Sequence, residues 1–129
     1  MSSWSDTETL ITGGADGQGF GRSVALAGDV LAVGADRDIE LGQPFSGAAY
    51  IYRYAGSSWS QEAKILPDYN GDNNPSQGLS FGGEVMLSGD VLAVSARGHG
   101  TPDLGVGESP GGVYVFRHDL CTNQIVAAR

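Results

Sequence analysis

Asp68, Asn70 and Asp72 stand at alternate positions in the stretch PDYNGDNNPSQG, a spacing that lets loop side chains converge on one cation. Calcium asks for about six to eight oxygens, a glycine at the sixth place of the loop and a bidentate Glu to finish it. Here glycine falls at the fourth place and no such Glu follows, so the residues favour a solvated loop, and no metal or other cofactor is expected. The other places where chemistry could start are as sparse. The chain has two histidines, His99 and His118, not at ligand spacing, and no Gly-x-Ser-x-Gly. The glycine-rich GVGESPGG is followed by a strand instead of the Lys-Ser/Thr of a phosphate loop. Asp38 and Glu40 form a carboxylate pair that nothing in the sequence organises for acid–base work. A non-enzymatic chain is the expectation.

Composition narrows the partners. A chain of 129 residues is the size of one small domain, and with 40% hydrophobic residues it can bury a core. The formal charge is −8, and the 7 basic residues are scattered singly. Nucleic acid and anionic membranes are bound through cationic patches, so neither partner is expected, nor is membrane insertion. The one cysteine, Cys121, excludes an internal disulfide and a Cys-based zinc site. The opening MSSWSDTETL has no basic-then-apolar signal pattern, so the chain reads as intracellular or as trimmed of its export signal.

What must position any site is a repeat. Phe20–Ala35 and Phe81–Ala96 share 11 identities in 16 positions at an offset of 61 residues. GAAYIYRY at 47–54 answers GGVYVFRH at 111–118, and SSWSDTETLI at 2–11 answers SSWSQEAKIL at 57–66. The 21 glycines are spread along the length, which suits short strands and tight turns better than helices. Each unit reads as four strands. Val24–Ala27 and Val30–Val33 flank Gly28-Asp29, where glycine at the first central place predicts a type II′ hairpin turn, and Ser88-Gly89-Asp90 repeats the device. Ala49–Tyr54 puts Tyr50, Tyr52 and Tyr54 on one face, and its twin puts Tyr114, Phe116 and His118 there. Trp59–Leu66 is more polar and belongs outermost. Strands apolar on both faces need cover on both sides, and sheets stacked radially about an axis supply it. The fold class is therefore all-β, with β-propeller blades of four antiparallel strands and two blades per chain. The units run over about 1–56 and 57–118, with 119–129 as a tail or replacement edge strand. The N-terminal SSWSDTETLI is a fourth strand that precedes its own three, and so closes a blade whose inner strands come from elsewhere.

FGRSVALAGDVLAVGAD, GAAYIYRY and SWSQEAKIL together resemble the FG-GAP repeats of integrin-α-type propellers, of the bacterial style with a short Gly-Asp turn. The resemblance spans about residues 2–118. It implies a propeller used in adhesion and ligand recognition, of secreted or cell-surface type. The family's Asp-rich calcium loop between the first two strands is absent, since only Gly28-Asp29 and Gly89-Asp90 stand there. Because two blades cannot close a ring, the chain is expected to complete one as a homo-oligomer, a trimer or tetramer, or with further blades of a longer chain. A protein ligand is the first reading. The alternative is a small oligomeric lectin that takes a glycan between blades.

Connector lengths place the expected binding face. Turns between the first and second strands are tight, whereas 36–46, 67–80 and 97–110 are long and crowd the other end of the sheets. Asp36, Asp38, Asp68, Tyr69, Asp72 and His99 are the candidate ligand-binding residues there, each set against an ordinary solvated loop residue. Trp4 and Trp59 could stack on sugars, but their repeated position favours packing between blades, as does the tyrosine stripe.

Overall fold

Apolar alternation over six to eight residues, cut by Gly-Asp turns, yields two four-stranded antiparallel meanders. The structure is a computed structural model and describes residues 8–11, 19–38, 47–66, 80–96, 111–119 and 124–127. Sheet 1 runs in the order β1 (Phe20–Ala27), β2 (Val30–Ala35), β3 (Ala48–Tyr54) and β4 (Trp59–Ile65). Sheet 2 repeats it with β5 (Phe81–Ser88), β6 (Val91–Ala96), β7 (Gly112–Asp119) and β8 (Gln124–Ala127). No helix occurs among the described residues. The first hairpin pairs Ala27 with Val30 across Gly28-Asp29. Gly28 and Gly89 have φ of 58° and 57° while the aspartates that follow stay out of the left-handed region, the φ signature of the II′ turn. Each turn is tied to the third strand in the same way. Tyr54 N donates to Asp29 O and His118 N donates to Asp90 O, both at 2.8 Å.

The sheets have two unlike faces. On the front of sheet 1, Val33, Ala35, Ala48, Tyr50 and Tyr52 form one buried cluster, joined by Phe20, Leu31 and Trp59. On its back, Ala32, Ala49, Ile51 and Ile65 pack against the front of sheet 2, where Phe81, Val85, Leu92, Val94 and Phe116 stand. The sheets thus stack front to back, as successive propeller blades do, and this junction is the larger core. The aromatic stripe plays its part in both places. Tyr114 and Phe116 lie between the two sheets, whereas Tyr50 and Tyr52 lie on the front of sheet 1, away from sheet 2.

The sheets approach most closely along β1, β2 and β5, where backbone meets backbone. Gly47 and Phe81 form a parallel bridge. Ser23 Oγ donates to Gly82 O at 3.0 Å. A Cβ on Gly34 would lie 2.0 Å from Gly82 O, so only glycine permits this spacing.

The unit of sequence and the unit of sheet are out of phase by one strand. The repeat begins with an outer strand, yet that strand hydrogen-bonds to the three before it: Trp59 pairs with Tyr54 and Ile65 with Ala49. In sheet 2 the corresponding edge is taken by β8, which pairs only with Phe116–Asp119. Residues 8–11 belong to none of the strands. They lie beside sheet 1, where Leu10 packs on the front cluster and Glu8 Oε1 accepts the Trp59 N–H at 3.1 Å.

Candidate functional site

Of the six candidate binding residues, the described structure places two. Asp36 and Asp38 follow β2 directly. Asp38 is fully buried, and its Oδ2 accepts the Tyr50 hydroxyl at 2.5 Å and lies 3.4 Å from Lys64 Nζ. Lys64 Nζ also sits 5.3 Å from the centre of the Tyr50 ring. The backbone around Asp38 is pinned by Asp38 N–H to Ala35 O and Gly47 N–H to Asp38 O. This carboxylate joins β2, β3 and β4 and anchors the start of a long connector. Asp36 is also buried, with Oδ2 3.8 Å from Arg22 Nε, at an open cleft lined by Phe20, Arg22 and Arg37. Asp68, Tyr69, Asp72 and His99 lie outside the described residues, as do Trp4 and Cys121. Trp59 is half-buried and packs on Tyr54 with ring centroids 5.3 Å apart.

Burial, reinforced by the Asp38 carboxylate, pushes Tyr50 up from 10.0 to about 12. A hydroxyl that holds its proton more tightly folded than unfolded stabilises the fold fully below the unfolded value, and this is lost as pH rises through the folded one. Stability should therefore fall between about pH 10 and pH 12. In Tyr50→Phe the fall should shrink, leaving the part due to Tyr52, which burial also pushes up. The same variant should lose about 1.5–3 kcal/mol at neutral pH, because the hydrogen bond removed is made to a buried carboxylate. Urea midpoints across this range measure both effects.

A second feature lies at the tight-turn end, to which connector lengths assign no role. Between the two Gly-Asp turns is a cleft of about 250 Å³, floored by Ile51, Leu87, Leu92 and Phe116. Arg53 stands at its rim with Nε 2.8 Å from Glu62 Oε1 and NH1 3.4 Å from Asp29 Oδ1. Glu62 is the main cause that holds the Arg53 guanidinium above its usual value. Repetition of Gly-Asp was the signal in the sequence, but only stacking of the sheets makes a cleft of it. Among the described residues, no three His, Cys, Asp or Glu side chains converge on one point.

The most informative surfaces are the two outer faces. Equivalent repeat positions differ sharply in exposure, and the difference follows the neighbour. On the fronts, Val24 is 63% exposed and its twin Val85, under sheet 1, is 6% exposed. Leu26 is exposed and its twin Leu87 is half-buried. On the backs, Val113 is 68% exposed while its twin Ala49, under sheet 2, is fully buried. Val115 and Met86 are likewise exposed where Ile51 is buried and Ala25 half-buried. The front of sheet 1 and the back of sheet 2 are thus the two halves of a junction that the chain already makes once. Single exposed apolar residues are ordinary, but a contiguous set marks an interaction surface.

Comparison with known proteins agrees with the repeat. None of the curated proteins compared with it matches the chain. The FG-GAP repeat family model matches residues 4–52 and again residues 59–116, each time starting at a tryptophan. FG-GAP repeats point to a propeller-like protein-interaction module, and the two meanders stacked front to back are consistent with its blades. With both repeats matched in order over most of its length, the chain belongs to the FG-GAP repeat family.

Proposed function

We propose that the chain is a non-catalytic protein-recognition module whose first partner is a second copy of itself, packed with the back of sheet 2 on the front of sheet 1. The observation that carries this reading is the exposure of Val24, Leu26, Met86, Val113 and Val115 at positions whose repeat twins are all covered or half-covered. Such a contact is head-to-tail, so it generates a ring where the rotation closes. Propellers have about four to eight blades, and three or four copies of two blades each, giving six or eight, fall within that range. Every copy would then present the same loops, and a multivalent ligand would gain avidity.

One residue shapes that contact. Ser95 holds the place on sheet 2 that the close-packed Gly34 holds on sheet 1, and its Oγ accepts the Glu84 N–H at 2.9 Å. A side chain there keeps the next front farther off than the sheets inside the chain, so the junction between copies is the wider and weaker one. Assembly should accordingly depend on concentration. Light scattering behind size exclusion at several concentrations should show a discrete trimer or tetramer. Val113→Asp or Leu26→Asp should return it to monomer, since each buries an unpaired carboxylate in the junction. A monomer at every concentration, or an oligomer indifferent to both substitutions, overturns the reading.

A further inference from the structure

Phe20–Ala35 and Phe81–Ala96 differ at five positions, and four of the five lie on the backs of the sheets. On sheet 1 these four residues face sheet 2 and are small. Ser23 donates to Gly82 O, Ala25 packs on the shared core, Ala27 lines the cleft between the sheets and Gly34 lies against Gly82 O. On sheet 2 each is replaced by a larger residue: Glu84, Met86, Ser88 and Ser95. Glu84, Met86 and Ser88 are exposed and Ser95 is half-buried. The fifth difference is on a front, where Arg22 stands exposed on sheet 1 and its twin Gly83 is buried on sheet 2. The differences thus set the two open surfaces apart from the two that are already joined.

Charge is what the open surfaces add. The backbone around Arg22 matches that around Gly83: Arg22 N–H donates to Gly19 O at 2.9 Å and Gly83 N–H to Ser80 O at 3.3 Å, while Gly21 and Gly82 have φ of 93° and 99°. The internal junction is therefore a guide to the open one. There Ser23 Oγ reaches Gly82 O, 3.0 Å away. With the back of sheet 2 set on the front of a second copy's sheet 1, Glu84 takes the place of Ser23 and Gly21 that of Gly82. An ionised carboxylate only accepts, so it cannot repeat the bond to a carbonyl. The next residue along, Arg22, supplies the donors. Its Nε is 3.8 Å from Asp36 Oδ2, and a guanidinium carries several more N–H groups to offer. A glutamate also reaches farther than a serine, which suits the wider gap that Ser95 imposes.

We infer that Glu84 of one copy pairs with Arg22 of the next, and that this charge pair decides how copies stack. Both halves of the pair stand in this one chain, and neither has a counterpart in the internal junction, so the surface that fits the front of sheet 1 is a second copy. Head-to-tail stacking joins the two charges. Front on front, or back on back, brings each charge to a surface that carries its own kind, and such mismatches discriminate against the wrong arrangement. A charge buried without its partner costs more than the pair returns, so the pair acts mainly by excluding the alternatives. The inference rests on the head-to-tail reading and deepens it, naming the contact that selects a ring-forming junction over a two-fold one.

The test is the midpoint concentration of assembly, read by analytical ultracentrifugation, for chains with reversed charges. Glu84→Arg sets two guanidinium groups together and should raise that concentration by at least about tenfold. Adding Arg22→Glu on the same chain restores opposite charges and should recover most of the loss. Urea midpoints at a concentration too low for assembly show that each chain folds. Should the reversed pair fail to fold beside Asp36, Glu84→Gln and Arg22→Gln, singly and together, form a milder cycle in which the double variant should lose less than the sum of the single losses. If Glu84→Arg leaves assembly unchanged while Val113→Asp abolishes it, the charge pair is wrong and the head-to-tail reading stands. A loss that the reversed pair does not recover, or losses that simply add in the cycle, mean that Arg22 is not the partner and overturn the inference. A monomer at every concentration removes both readings together.

Discussion

Gly47→Ala should cost about 2–5 kcal/mol, the sum of a left-handed backbone at roughly 1–2 and an overpacked junction at roughly 1–3. Gly47 has φ of 86°, a conformation that a side chain resists. It also lies against the other sheet: a Cβ there would be 2.0 Å from Phe81 O and 2.6 Å from Phe81 N. Those are backbone atoms of a fully buried residue, so they cannot swing aside as a side-chain tip would. The sheets must separate or tilt, which opens the core between them. Gly56 is the control, because its φ of 87° is nearly the same and nothing lies within 4 Å of its Cβ position. Gly56→Ala should therefore show the backbone cost alone, about 1–2 kcal/mol. The gap between the two urea midpoints measures the close approach of the sheets. Equal losses would mean that the junction yields freely at Gly47. With domains of this size stable by only about 5–15 kcal/mol, the larger loss would leave a visibly unfolded fraction.

Phe81→Ala should cost about 3–5 kcal/mol, the range for emptying a large aromatic site. Phe81 is fully buried at the junction and meets Tyr114 and Phe116 edge-on, with centroids 5.2 and 6.2 Å away. Its repeat twin Phe20 makes the same edge-on pair with Tyr50 and Tyr52, at 5.3 and 6.1 Å, yet is only half-buried. Identical ring contacts with different cover separate aromatic geometry from burial. Phe20→Ala should be distinctly milder than Phe81→Ala in the monomer. In the assembled form the two should converge, because a second copy would bury Phe20 as sheet 1 buries Phe81. Thermal melts at low and high protein concentration make the comparison. Equal losses at low concentration would show that the ring contacts, rather than burial, carry the energy.

The strands, their faces and the hairpin turns were legible in the chain. Alternation sets which side chains share a face, and Gly28-Asp29 admits few turns, so Val24–Val33 could be drawn before any coordinates. The order of strands in each meander followed too, since short connectors leave neighbours little choice. The site was less legible. Asp38 looked like a loop carboxylate facing solvent, and its partners Tyr50 and Lys64 are 12 and 26 positions away. No local pattern announces that β2, β3 and β4 bring the three together. The cleft between the Gly-Asp turns was hidden for a related reason: its walls come from both repeats, and repetition says nothing of how closely two copies approach.

The sequence by itself determined that this is a two-repeat β chain, where each hairpin turns, and that its outer strand stands out of phase with the other three. These are local matters, decided by side-chain periodicity and by the few residues that tolerate a left-handed backbone. Only the tertiary structure decided which copy of each position is covered. Val24 and Val85 are the same residue in the same motif, and one is exposed while the other is buried. The reason is that burial belongs to a pair of surfaces. A repeat encodes both halves of its junction, and the number of neighbours present, not the motif, sets how many of those halves are filled.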